Sequence, residues 1–62
     1  MIAKTLSTAD LERVHDAIAE GLDRAGLERD RLFLAKLALA LANQLGDAKA
    51  VDTAIEAALR DL

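Results

Sequence analysis

Apolar residues recur along this chain in three blocks with helical spacing. In the first, Leu11, Val14, Ile18, Leu22 and Ala25 fall on one narrow stripe at 100° per residue. Glu12, Arg13, Asp16, Glu20, Asp23 and Arg24 occupy the opposite side. The pattern predicts a one-faced surface helix from about Thr8 to about Arg24. Ser7 is placed to cap it, accepting from the backbone N–H of Asp10, with the Asp10 carboxylate reaching back as a shortened capping box. Thr8 as N-cap is the competing register. Leu6 and Leu11 have the spacing of a hydrophobic staple across that cap. Met1 to Thr5 read as a frayed lead-in. Gly21 lies inside the helix, where it either allows a close helix approach or marks early fraying. Gly26 suits a left-handed position after the last turn, with Leu27 folding back as the accompanying apolar contact.

The second block is different in kind. From Leu32 to Leu45 nearly every side is apolar. Leu34, Leu37, Ala38, Leu41 and Leu45 form one face, and Leu32, Ala35, Leu39 and Ala42 continue around it. Phe33 and Ala40 flank the other side, leaving only Lys36, Asn43 and the nearby Gln44 as a polar seam. A helix apolar all round is one that is covered on more than one side. The alternating Leu-Ala run imitates a strand period, but its length, its strong helix formers and the glycine stop favour helix. The predicted span is about 29–45, with a weakly marked start between Glu28 and Arg31.

Gly46 ends that helix and Asp47 caps the next, a junction tight enough to predict antiparallel neighbours. The third helix, about 48–60, carries Val51, Ile55, Ala58 and Leu62 on one stripe, with Ala54 and Leu59 beside it. Glu56 and Arg60 form an i,i+4 pair in the favourable order. The expected fold is all-α: a single three-helix domain over 1–62, made of a hairpin of the second and third helices plus an N-terminal amphipathic helix, and completed as a dimeric helical bundle.

Composition sharpens this picture. Fourteen of the 62 residues are Ala and twelve are Leu, with no Pro and one aromatic, Phe33. A domain this small is marginal without a disulfide, a metal or self-association. There is no Cys, and a single His, His15, so self-association is the staple that remains. The sequence therefore predicts a homodimer whose interface draws on Leu32, Phe33, Lys36, Leu39, Ala40 and Asn43, or the same surface docked on a larger protein. Lys36 and Asn43, one heptad apart, read either as a register-setting pair or as a solvent-facing seam.

Charge and motifs exclude more than they assign. A formal charge of −3 with interspersed signs disfavours nucleic acid and anionic membranes. The longest uncharged run, Leu37 to Gly46, is too short to span a bilayer. The first residues lack the pattern of a signal peptide, so the default location is cytoplasmic. No Gly-rich phosphate loop is present. Glu12 and His15 have the Glu-x-x-His spacing of di-iron bundles, but Glu12 points outside the apolar stripe, and the ordinary reading of His15 is a boundary residue. The Glu12, Asp16, Glu20 and Asp23 ridge reads as a solvated face. No catalytic residue, metal ligand or cofactor is expected.

The segment Leu37 to Asp47, followed by a short Ala- and Leu-rich helix, resembles the signature of an uncharacterised family of short bacterial proteins, a domain of unknown function. Members end a Leu-rich helix with Leu-Ala-Asn, two residues, then Gly-Asp; the matching positions here are Leu41, Ala42, Asn43, Gly46 and Asp47. The likeness covers about the last two-thirds of the chain. Gly26-Leu27-Glu28-Arg29 departs from it, lacking a polar cap before the central helix. The resemblance implies a small bacterial cytosolic protein accessory to catabolic enzymes and supplies no activity. The functional expectation is a non-catalytic protein-interaction module, a self-associating accessory subunit of a metabolic enzyme. The alternatives are a small metal- or ligand-binding bundle and an antitoxin-like regulator.

Overall fold

Backbone N–H groups left free at a helix start must find acceptors, and two side chains here supply them. In the computed structural model, which describes residues 5–62, Ser7 Oγ accepts from the Asp10 N–H at 3.1 Å and opens helix α1, Thr8–Ala25. Asp47 Oδ1 accepts from the Ala50 N–H at 3.1 Å and opens helix α3, Ala48–Arg60. Between them α2 spans Asp30–Leu45; its N-cap residue, Arg29, makes no side-chain capping bond. Of the expected lead-in, Met1 to Lys4 lie outside the described residues. The described residues hold three helices and no strand.

The two glycine stops are not alike. Gly46 takes the left-handed conformation, φ 71° and ψ 24°, and its N–H bonds the Ala42 carbonyl at 2.9 Å. Gly26 has φ 82° but ψ 165°, a region that essentially only glycine enters. That ψ turns the chain outward. Leu27 is consequently 92% exposed and does not fold back on the last turn of α1 as expected. The Arg29 N–H returns to the Gly26 carbonyl at 3.0 Å, and α2 starts one residue later.

Side-by-side packing is confined to α1 and α2. Ile18, Gly21, Leu22 and Ala25 of α1 are half-buried, as are Phe33 and Leu37 of α2. Gly21 is the joint: a Cβ built there would meet the Phe33 ring, with Cε1 at 3.0 Å, Cε2 at 3.1 Å and Cζ nearer still. Of the two roles open to Gly21, the structure takes close approach, and α1 continues unbroken past it. Away from this joint the helices part. Leu11 and Val14 remain 57% and 40% exposed, so the first half of the α1 stripe lies uncovered.

The second and third helices meet at their turn, where Ala42, Ala50 and Val51 are half-buried. Beyond it α2 and α3 do not pack as closely as α1 and α2, and a trough lies between them out to Ala38 and Ala58. A two-residue turn fixes where two helices meet. It leaves their opening angle to the side chains between them, and those are largely alanine. The result is an open arrangement in which no described residue is fully buried. The radius of gyration is 12.8 Å, against about 10.6 Å for a compact chain of this length.

Candidate interaction surface

The opening between α2 and α3 is an apolar concavity. From α2 it is lined by Ala38, Leu41, Ala42 and Leu45, and from α3 by Val51, Ala54, Ile55 and Ala58. No lining residue is ionisable, and none has a polar side chain. The trough encloses about 290 Å³ and is open along its length. Sites for small ligands combine apolar walls with a few placed polar groups that fix orientation; this one offers walls alone. The α3 stripe read from the sequence points into it, together with part of the main apolar face of α2.

Large and small side chains alternate across the trough in rows. Leu41 and Leu45, one turn apart, form a ridge on α2, with Ala38 and Ala42 as a shallow lane beside it. Val51 and Ile55 form a ridge on α3, with Ala54 and Ala58 as its lane. Rows at i,i+4 are the ridges and grooves along which helices pack. The ridges stand in solvent: Leu41, Leu45 and Ile55 are 54%, 46% and 51% exposed.

The residues expected at an interface from the sequence divide between two places. Phe33 lies against Gly21 of its own chain. Leu32, Lys36, Leu39, Ala40 and Asn43 are exposed, and none of them lines the trough. Leu39 and Asn43 share a shallow depression with Asp47 and Asp52, which adjoins the trough at Ala42 and Val51.

The chemical candidates do not converge. His15 is 83% exposed at its side chain, and its Nδ1 lies 3.6 Å from Asp16 Oδ1. Glu56 and Arg60 do not form their expected pair among the described residues. No group of three or more metal-capable side chains comes together there. No described helix is long and apolar enough to cross a membrane.

No protein-family model, no curated protein and no solved structure matches this chain.

Proposed function

We propose that this chain is a non-catalytic interaction module that completes its hydrophobic core by associating with a second copy of itself. The observation that carries this reading is the exposed area. The chain exposes 5921 Å², whereas a compact protein of its mass exposes about 3,900 Å². Even granting residues 1–4 the full area of unfolded chain, about 700 Å², most of the excess of about 2,000 Å² remains. The exposed large apolar side chains are ten leucines, Val14 and Ile55. Each large apolar side chain removed from water contributes about 1.5–3 kcal/mol, so leaving twelve of them exposed forfeits much of what a 62-residue chain has available for folding.

A role as a small accessory subunit fits the same surface: a module that lacks a chemical constellation acts through what it binds. Sedimentation equilibrium and light scattering over a range of micromolar concentrations test the reading. The expected result is a mass of two copies and a melting temperature that rises with protein concentration, because assembly and folding are then one equilibrium. A fully helical, cooperatively melting single copy at every concentration overturns it. Pull-down from the native cell then identifies what the assembled module carries.

A further inference from the structure

Resting on the proposed self-association, we infer that the second copy seats trough to trough. The α3 helix of each protomer lies in the opening between α2 and α3 of the other, so that four helices close one shared core. Area is the first argument. Two separate copies expose about 11,800 Å², twice 5921 Å², and a compact protein of the doubled mass exposes about 6,400 Å². The difference is about 5,400 Å², or about 4,000 Å² after the allowance for residues 1–4 in both copies, and obligate homodimers bury about 2,000–5,000 Å² or more. A compact dimer of this chain would therefore have an interface of ordinary obligate size.

Shape is the second. A two-fold interface uses the same patch on both partners, so the patch must complement itself. The trough does so: its Leu41–Leu45 and Val51–Ile55 ridges have, in the same surface, the Ala38–Ala42 and Ala54–Ala58 lanes that can receive them. The alanines also let the facing backbones come close.

Charge is the third. With no ionisable group in its lining, the trough can meet its copy without setting like charges together. The outer face of α2, where the sequence placed the seam, is less suited to a two-fold contact. There Asp47 and Asp52 rim the Leu39 depression, so a two-fold contact centred on it would gather four carboxylates. Leu39 at 72% exposure and Leu32 at 54% are then ordinary surface leucines beside Lys36 and Asn43.

The test compares the full chain carrying Ala54→Glu with the full chain carrying Leu39→Glu by sedimentation equilibrium. Glutamate favours helix at both positions, but in the trough it places two unpaired carboxylates in a closed core. Ala54→Glu is expected to raise the dissociation constant by more than about 100-fold, leaving single copies, while Leu39→Glu keeps the mass of two. Because Ala54→Glu could also prevent folding, single-cysteine variants give a second measurement in a chain that has no cysteine of its own. With a short bismaleimide, Ala54→Cys is expected to yield a covalent pair and Lys36→Cys none. A dimer that survives Ala54→Glu and dissociates with Leu39→Glu, or that cross-links through Lys36→Cys and not through Ala54→Cys, overturns the seating but leaves self-association standing. An assembly of three or more copies likewise overturns the four-helix arrangement. An unmodified chain that remains single at every concentration removes the reading on which the seating rests.

Discussion

Replacing Gly21 by alanine should change sign in its effect on stability, depending on what stands at position 33. In a helix interior the exchange gains about 1 kcal/mol from propensity. Against that, the new methyl meets the Phe33 ring, with Cε1 and Cε2 only 3.0 and 3.1 Å from where it would sit. Forcing a methyl into an occupied space costs about 1–3 kcal/mol. If the ring swings aside instead, α1 and α2 lose the contact that joins them, which also destabilises. Gly21→Ala is therefore expected to destabilise the unmodified chain by about 0–2 kcal/mol after the propensity gain. Phe33→Leu removes the Cε and Cζ atoms responsible. In that background Gly21→Ala should stabilise by up to about 1 kcal/mol, giving a coupling of about 1–3 kcal/mol between the two positions. Urea unfolding followed by helical circular dichroism, with all four proteins at one protomer concentration, measures the cycle. A Gly21→Ala exchange that stabilises equally with phenylalanine and with leucine at position 33 would mean that the ring does not rest on the glycine, and the α1–α2 joint described above would be wrong.

The other expectations are simpler. Ser7→Ala and Asp47→Ala should each lower stability by about 1 kcal/mol, since each removes a capping acceptor, whereas Asp47→Asn should retain most of it; urea midpoints decide between them. Gly46→Ala, at a φ of 71°, should cost about 1–2 kcal/mol and lower the melting temperature, with Gly46→Asn milder because asparagine tolerates the left-handed region. His15→Ala should leave helicity and mass in solution unchanged, as the side chain is 83% exposed; a stoichiometric metal in the purified protein that disappears with this exchange would instead point to chemistry at Glu12 and His15.

Much of the architecture is written locally. Ser7, Gly26, Gly46 and Asp47 act on backbone groups within a few residues of themselves, so the ends of α1, α2 and α3 can be read directly from the chain. The stripes of α1 and α3 are equally plain, because each helix has one apolar side to bury. Position in space is another matter. Since α2 is apolar nearly all round, its pattern cannot choose which arc meets α1; the fit of the Phe33 ring over Gly21 chooses it. Gly26 is visible as a stop, but only its ψ sends Leu27 outward. A two-residue turn brings α2 and α3 together at Ala42 and Val51 and leaves an apolar trough between them. What the tertiary structure alone decided is therefore which faces meet, α1 on α2 at Gly21 and Phe33 with an apolar trough left between α2 and α3, because helix periodicity specifies a face and only packing specifies what that face meets.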